Sequence, residues 1–322
     1  MRTLAAIAAS LALASPAAAQ EDRENLPTPG SVVAEAAAEE WIAIAPEDLL
    51  VMDLAPAADG SARRVVIQLM PPPFSQPWVE NIRTLAQAHW WDGTSVNRVQ
   101  DNYVVQWGDV TEEKPLPGNM AAPNTPYILG SGENCGYHLC PAVAPIDFVH
   151  DSLLGGYKGN SAFTRGWPIG TSRNAAGVGN HAWPLHCYGY VGVGRNYAPD
   201  TGSGAELYTI IGQPQRHMDR NLAVVGRIIE GMEHLSSLPR GHGELGFYTE
   251  EEAHLRTPIV SVRLGTEIAD ALRFEYLDTA SESFAKYVSV RANRNDTFYT
   301  VPAGGVDVCS VQVPVRRVGS AG

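Results

Sequence analysis

The feature of this chain that most constrains its fold is a succession of short β-rich segments with almost no helical pattern between them. These segments, rich in Val, Ile and Tyr, cover residues 49–55, 64–70, 96–99, 103–107, 188–193, 206–211, 222–229 and 259–264. A doubly wound sheet needs a helix between successive strands, whereas antiparallel strands can follow one another directly. The pattern therefore predicts a mainly β protein, built as a closed antiparallel barrel of about eight strands or as a sandwich.

Local signals order the first part of this sheet. Asp59-Gly60 is a favoured tight-turn dipeptide, so it predicts a hairpin between the first two segments. Pro77 suits the first turn of a helix. The apolar residues after it recur at helical spacing, as Trp78, Ile82 and Leu85. We therefore expect one helix directly after the second strand.

Composition divides the chain into five stretches. They are a signal peptide at 1–19, a leader rich in Glu, Ala and Pro at 20–46, a barrel at 47–267, a loop insertion within it at about 110–180, and a small C-terminal appendage at 268–322. In the leader, residues 32–44 could form a helix. In the appendage, residues 282–293 have helical spacing, and 298–301 and 308–315 are predicted strands.

The first residues predict export. A basic start at Arg2, an Ala- and Leu-rich apolar run and the A-x-A pattern before Gln20 are typical of a cleaved secretory signal peptide. We expect cleavage after Ala19. Because the apolar run is too short to span a bilayer, we expect a protein of the periplasm or the cell exterior that is not inserted in a membrane.

The four cysteines form an even set, which an exported protein normally oxidises to disulfides. Three connectivities are possible. We favour Cys135 with Cys140, closing a short loop, and Cys187 with Cys309, tying the C-terminal tail to the body. A zinc site is the alternative, but the sequence contains no C-x-x-C and no H-E-x-x-H pattern, so we predict neither a metal nor a cofactor.

The charge balance argues against nucleic acids as partners. The formal net charge of −12 becomes −13 when Arg2 leaves with the signal peptide, and such a surface repels phosphate. Nucleotide enzymes are disfavoured because Gly192-Val193-Gly194 lacks a third glycine and no G-K-[ST] loop exists. Gly202-Ser203-Gly204 is too short for the nucleophile elbow of a serine hydrolase. Nothing in the sequence selects the carboxylate pair of a glycosidase.

Two stretches carry motifs in a fixed order. The first runs through the predicted helix to the turn Trp91-Asp92-Gly93 and then to Arg98, Tyr103 and Gln106-Trp107-Gly108-Asp109. The second contains Gly202-Ser203-Gly204-Ala205-Glu206-Leu207-Tyr208, then His217-Met218-Asp219, then Val224 to Met232.

In order and nearly in spacing, the first stretch resembles the Y-D-G turn and the F-H-R-x-x-x-x-F-x-x-Q-G-G-D segment of the cyclophilins, which are peptidyl-prolyl cis/trans isomerases. The second is similar to the N-G-S-Q-F-F-I segment, the W/H-L-D turn and the V-F-G-x-V-x-x-G-M strand of that family. The resemblance covers roughly residues 47–265 and identifies the chain as a divergent, exported bacterial member. It implies an eight-stranded antiparallel barrel capped by helices.

The resemblance also implies a reaction without covalent intermediates. Resonance sets a barrier of about 18–20 kcal/mol to peptide-bond rotation, so a catalyst needs only to favour the twisted state. In that state the prolyl nitrogen regains a lone pair that a guanidinium can stabilise. Arg98 matches the catalytic arginine of the family, and Gln106 matches the amide that fixes the neighbouring carbonyl.

The other positions of the implied site bind the substrate. Tyr103 matches the aromatic floor and Val104 the aliphatic wall of the proline pocket. The remaining matches are further pocket positions, a rim histidine and a backbone strip for an extended peptide, namely Tyr208, Met218, His217 and Gly194, Arg195 and Asn196.

Two positions depart from the family pattern. Leu222 replaces the pocket histidine, and Glu206 replaces the glutamine of G-S-Q-F-F. A carboxylate at 206 could pair with Arg98 and compete with its bond to the substrate, so weak activity is one expectation.

The expected partner is a proline-containing polypeptide. Three classes of function are considered for the protein that binds it. The first is a folding catalyst that isomerises X-Pro bonds of exported proteins. The alternative is a cyclophilin-like chaperone or scaffold that binds proline-containing segments with little or no turnover. The third is an envelope structural protein that uses the insertion and the tail for partner contacts.

Overall fold

The structure, a computed structural model, describes residues 25–111, 113–130, 154–155, 160–173, 180–270, 272–299 and 301–319. The predicted signal peptide and the predicted Cys135–Cys140 pair lie outside the described residues. Within the described ranges the helices are α1 (Pro29–Ala34), α2 (Gln76–Gln87), α3 (Glu233–Ser236) and α4 (Glu282–Ala292). The strands are β1 (Trp41–Ile44), β2 (Leu49–Leu54), β3 (Arg63–Leu69), β4 (Ser95–Val99), β5 (Val104–Gly108), β6 (Leu129–Gly130), β7 (Leu154–Gly155), β8 (Asn160–Thr164), β9 (Trp167–Arg173), β10 (Asn180–Pro184), β11 (Tyr190–Val193), β12 (Leu207–Ile210), β13 (Val224–Glu230), β14 (Thr257–Leu264), β15 (Phe274–Leu277), β16 (Val306–Asp307) and β17 (Val315–Arg317).

Eight of these strands close into one antiparallel barrel, in the order β11-β12-β5-β4-β14-β2-β3-β13, with β13 pairing back onto β11. The barrel confirms the predicted mainly β fold. The predicted hairpin joins β2 to β3, with Leu54 opposite Arg63, and Gly60 in its turn has φ +83°. A positive φ at that position favours glycine.

The barrel core forms because its strands alternate between two environments. On β5 and β12, Val105, Trp107 and Leu207 belong to the main apolar core, whereas Val104 and Tyr208 belong to a separate cluster. Successive side chains of a strand point to opposite faces, so one face of these strands fills the barrel and the other is free to build a site.

Helix α2 is the helix predicted from the spacing after Pro77. Trp78, Val79, Ile82 and Leu85 are all buried, and the helix packs against β14 and β13. The apolar side chains of an amphipathic helix thus cap the barrel.

The part of the insertion that the structure describes contains a sheet where the sequence predicted a loop. Strands β6, β10, β9 and β8 form a four-stranded antiparallel sheet. The turn between β8 and β9 is Arg165-Gly166, with φ values of +49° and +82°. The prediction was wrong here because Pro, Gly and Asn interrupt these strands, and Pro168 and Gly170 lie within β9 itself.

The segments that precede and follow the barrel in the sequence pair with each other in a three-stranded sheet. Strand β15 pairs with β1 on one side and β17 on the other. The helix expected at 32–44 is therefore wrong beyond Ala34. Residues Ala38–Glu40 form a 3₁₀ turn, and Trp41–Ile44 is a strand because it pairs with β15. Helix α4 confirms the helix predicted at 282–293, and it packs against α1.

Two predicted C-terminal strands are also wrong. No strand forms over the described residues 298–299 and 301, and Phe298 and Val301 are about four-fifths exposed. Residues Val308–Ser310 form a short 3₁₀ turn that the Asp307 side chain caps, and the strand in this region is β17. Of the described residues in these two segments, only Val315 belongs to a strand, where it pairs with Tyr276 of β15. β-rich composition alone therefore did not make them strands.

A disulfide joins the C-terminal segment to the barrel. Cys187 and Cys309 are bonded, with 5.1 Å between their Cα atoms, which confirms this half of the favoured pairing. Both sulfurs lie in the apolar core, where Cys187 is 2% and Cys309 9% exposed. Among the described helices, none is long and apolar enough to cross a bilayer.

Candidate active site

A cavity of about 900 Å³ opens on the outer face of the barrel, where β11, β12, β5 and β4 lie side by side. All twelve residues that the sequence assigned to catalysis or substrate binding line this cavity. They are Arg98, Tyr103, Val104, Gln106, Gly194, Arg195, Asn196, Glu206, Tyr208, His217, Met218 and Leu222. The structure therefore brings them together, and their individual roles stay predictions.

One end of the cavity is an apolar notch, formed by Tyr103, Val104, Tyr208, Met218 and Leu222. Val104, Tyr208 and Met218 are buried and pack together, with Tyr103 and Leu222 half-buried at their edge. The exposed His217 ring stacks on Tyr103, with 6.1 Å between the ring centroids. Such a hollow can take a small apolar ring and shield it from water.

Arg98 lies beside this notch, and neutral groups fix its guanidinium. Its Nε donates to the carbonyl oxygen of Leu245 at 2.7 Å, its Nη1 donates to Gln106 Oε1 at 3.2 Å, and its Nη2 donates to Gln100 Oε1. The rings of Tyr103 and Phe247 lie 5.4 and 5.3 Å from its central carbon. Burial lowers the pKa of Arg98, yet an arginine in a protein stays a cation.

Arg98 has more N–H donors than its hydrogen bonds to the protein use, so some can bind a substrate. A guanidinium carries five N–H donors in a planar fork, and these three hydrogen bonds use three of them. One N–H on each terminal nitrogen remains. The hydrogen bonds also orient the group, so little side-chain freedom is left to lose when it acts.

The register of the sheet sets the distance between Arg98 and Gln106. The two residues are opposite each other on β4 and β5, just after an irregularity in the pairing between Val96 and Arg98. Because Gln106 Oε1 accepts from Arg98, its Nε2 points towards Gly194, where a Cβ would lie 3.5 Å away. The amide thus presents a donor to the strip at 194–196.

The arrangement around Glu206 differs from the ion pair that its charge suggested. The hydrogen bonds of Arg98 go to Leu245, Gln106 and Gln100. The Glu206 carboxylate lies instead over Gly108, where a Cβ would overlap it. Gly108 has φ +151°, so both its conformation and the close approach of Glu206 favour glycine there.

The strip at 194–196 has less free backbone than expected. The Gly194 N–H donates to the Glu206 carbonyl at 2.8 Å, and the Asn196 N–H donates to Asp200 Oδ2 at 2.8 Å. The Arg195 side chain donates to the carbonyl of Asn196 at 2.7 Å. A peptide aligned along this strip must use the other backbone groups.

Sequence reasoning missed the segment that covers Arg98, residues 241–248. Its backbone follows β4, with Gly241 N–H donating to Val99 and Tyr248 N–H donating to Asn97. Leu245, with φ +54° and a 59% exposed side chain, lines the cavity next to Phe247. The only signal in the sequence was the density of glycine at 241, 243 and 246.

The other end of the cavity is polar and was also not predicted. Lys114 Nζ donates to the Asp92 carbonyl at 3.0 Å and lies 5.4 Å from the centre of the Trp90 ring. Asp109 accepts from the backbone N–H groups of Thr111, Glu113 and Lys114. In the described ranges, no three His, Cys, Asp or Glu side chains are grouped so that they could hold a metal ion.

Comparison with known proteins identifies the family. The sequence model of the family described as cyclophilin type peptidyl-prolyl cis-trans isomerase/CLD matches residues 62–263, which is more than half of the chain. The chain is similar to cyclophilin AquaCyp293 from Hirschia baltica, with 19% identity and a TM-score of 0.63 over 92% of this chain and 100% of that one. No curated protein matches it in sequence.

A second solved structure is a cyclophilin-type isomerase from Cryptosporidium parvum, determined in the presence of the dipeptide Ala-Pro. It is 9% identical, with a TM-score of 0.36 over 66% of this chain and 98% of that one. The likeness to the Hirschia baltica protein supports the barrel fold, and the family match covers the strands that surround the cavity. The chain belongs to the cyclophilin-type peptidyl-prolyl cis-trans isomerase family and is an enzyme of that class.

Proposed function

We propose that this enzyme isomerises X-Pro bonds in exported proteins and so catalyses their folding in the periplasm or outside the cell. The observation that carries the proposal is the fixed guanidinium of Arg98 at the edge of a buried apolar notch. The export of both enzyme and client rests on the predicted signal peptide.

The mechanism follows from what each group can do to a twisted peptide bond. The notch holds the prolyl ring, while the Gln106 amide donates to a neighbouring peptide carbonyl. As the C–N bond rotates, the prolyl nitrogen regains a lone pair, and a remaining N–H of Arg98 donates to it. That hydrogen bond forms only in the twisted state, so it lowers the barrier rather than strengthening ground-state binding.

Environment increases the effect of Arg98. The guanidinium lies over the rings of Tyr103 and Phe247, in a cavity from which a bound peptide would displace water. Electrostatic interactions are stronger where water is excluded. The uncatalysed exchange takes about 10–100 s at room temperature, so even modest stabilisation of the twisted state gives a measurable acceleration.

A protease-coupled assay with a tetrapeptide that contains Ala-Pro tests the proposal. The oxidised mature protein should accelerate the slow phase, and Arg98→Lys should lose most of that acceleration, because an ammonium cannot keep three hydrogen bonds in one plane. Arg316→Ala is the matched control, since Arg316 lies on the C-terminal sheet and pairs with Glu275. A slow phase no faster than in buffer, with peptide binding intact, would favour the binding-module alternative.

The location is tested separately. Full-length protein made in a Gram-negative host should be recovered from the periplasm with Gln20 as its first residue. Recovery from the cytoplasm with an intact N-terminus would contradict the exported client class and leave the isomerase activity unaffected.

A further inference from the structure

A chain of hydrogen-bonded side chains extends from Tyr208 of the notch through His186 and Asp219 to Arg216, and the proposed mechanism assigns no role to the last three. Tyr208 Oη is 2.9 Å from His186 Nε2, His186 Nδ1 is 3.0 Å from Asp219 Oδ1, and Arg216 Nε donates to Asp219 Oδ2 at 2.5 Å. Tyr208, His186 and Asp219 are at most 5% exposed. A buried polar network of this kind is stable only when its members satisfy one another.

The direction of each hydrogen bond follows from the donors and acceptors present. The Asp219 carboxylate can only accept, so His186 carries its proton on Nδ1 and donates it there. Burial lowers the pKa of His186, which keeps the ring neutral. Its Nε2 lone pair is then an acceptor, and the Tyr208 hydroxyl is the donor that fills it.

The surrounding backbone is shaped for this hydroxyl. Gly192 is opposite Tyr208 in the pairing of β11 with β12, and a Cβ at position 192 would overlap the Tyr208 hydroxyl. The Tyr208 and His186 rings are nearly parallel, with 6.2 Å between their centroids. The phenol therefore crosses position 192 to reach His186, and any residue larger than glycine there would prevent it.

The network joins two residues of the notch that lie on different elements. Tyr208 is on β12, and Asp219 follows directly after Met218, which packs in the same apolar cluster as Tyr208. Asp219 also accepts from the backbone N–H of His186 at 3.0 Å, so its position is fixed from three directions. A shift of His186 would consequently move both the ring of Tyr208 and the side chain of Met218.

We propose that His186 is a positioning residue for substrate binding: it holds the Tyr208 ring and, through Asp219, the Met218 side chain at the separation that accepts a prolyl ring. The inference rests on the proposed function, because it assigns the notch to proline. His186 itself touches no substrate. The family segment N-G-S-Q-F-F-I has phenylalanine at the position that matches Tyr208, so the tyrosine hydroxyl is a departure of this chain from that pattern.

Substitutions of both partners separate positioning from simple structural support. Tyr208→Phe removes the hydroxyl and keeps the ring, and KM for the Ala-Pro tetrapeptide should rise about fivefold, the change that corresponds to one hydrogen bond between neutral groups. kcat should change less, because the notch contacts the prolyl ring in both the ground and the twisted state. His186→Leu should raise KM at least as much.

The double variant His186→Leu/Tyr208→Phe tests the coupling. It should raise KM no more than the larger single change, because it removes donor and acceptor together. Tyr287→Phe is the matched control, since Tyr287 is 5% exposed and donates to the Gln312 carbonyl at 2.9 Å in the C-terminal region. It should lower the melting temperature about as much as Tyr208→Phe and leave KM unchanged.

An unchanged KM in Tyr208→Phe, or multiplicative effects in the double variant, would overturn the proposal. If His186→Leu does not fold, the KM values of Tyr208→Phe and Tyr287→Phe still test the proposal, because both variants keep the His186 side chain. Failure of the proposed function is distinguishable: the unmutated protein would then bind the peptide without turnover, and the same differences should appear in the peptide Kd. A protein that neither binds nor isomerises the peptide overturns both.

Discussion

Removal of the Cys187–Cys309 disulfide should destabilise the protein strongly. The bond links residues 122 apart in sequence and so closes four of the eight barrel strands, β11 to β14, into one loop. In the chain-entropy treatment, cross-linking a loop of that length removes about 16 cal/mol/K from the unfolded chain, or about 4.9 kcal/mol at 25 °C. Packing adds to this, because both residues lie in the apolar core.

The measurement is urea unfolding of the oxidised protein and of Cys187→Ala/Cys309→Ala, followed by tryptophan fluorescence. We expect the variant to lose about 4–5 kcal/mol of unfolding free energy, which is a large part of the stability of an ordinary domain. Isomerase activity should persist below the lowered midpoint, since neither cysteine lines the cavity.

Cys135→Ala/Cys140→Ala is the matched control. A disulfide between those residues would close a loop of about five residues, and the same treatment gives about 2 kcal/mol. A loss below about 1 kcal/mol in Cys187→Ala/Cys309→Ala, or a loss equal to that of the control, would refute the reasoning from loop length.

Three further predictions follow from single residues. Arg227→Ala should lower the unfolding free energy by about 3 kcal/mol in urea, because it removes the donor to Gln68 Oε1 and the Gly166 carbonyl and opens a cavity beside them; a loss below about 1 kcal/mol would count against it. Leu245→Gly should raise the unfolding free energy by about 1 kcal/mol, because glycine adopts the left-handed backbone at φ +54° without strain and little buried surface is lost. A destabilised variant would show that the backbone at position 245 is not strained. The backbone N–H of Thr249 and the His242 side chain lower the pKa of Glu252 from 4.5 to about 2. The stability that this carboxylate adds is therefore present above pH 4.5 and is lost as the pH falls towards 2. Glu252→Gln should flatten the pH dependence of the unfolding midpoint over that window, and an unaltered slope would contradict the assignment.

The barrel was predictable because local patterns encode its strands, and the residues of the notch were predicted from the resemblance of their motifs to those of the cyclophilins. A tight-turn dipeptide, a helix with apolar residues at regular spacing and motifs in a fixed order gave the strands that surround the cavity. Arg98 and Gln106 are eight residues apart and lie on neighbouring strands joined by a short connection, so their contact follows from the hairpin itself.

The rest depended on contacts between distant parts of the chain. Strand β1 forms because β15, more than 200 residues later, pairs with it, with Leu277 opposite Trp41 and Phe274 opposite Ile44. Leu245 reaches Arg98 only because the glycines around it allow the backbone to run along β4. His186 gave no motif at all, since a histidine whose partners are 22 and 33 residues away leaves no periodic signal. Interactions of that kind are set by the folded barrel rather than by neighbouring residues.

The central claim is that Arg98, held beside the notch, lowers the barrier to rotation about an X-Pro bond. Two-dimensional NMR exchange spectroscopy of an Ala-Pro tetrapeptide measures that rotation at equilibrium, without a protease. The unmutated protein should produce cis–trans exchange cross-peaks, and Arg98→Ala should abolish them while the peptide still shifts the Val104 and Met218 methyl resonances. Equal exchange rates with the two proteins would contradict the claim.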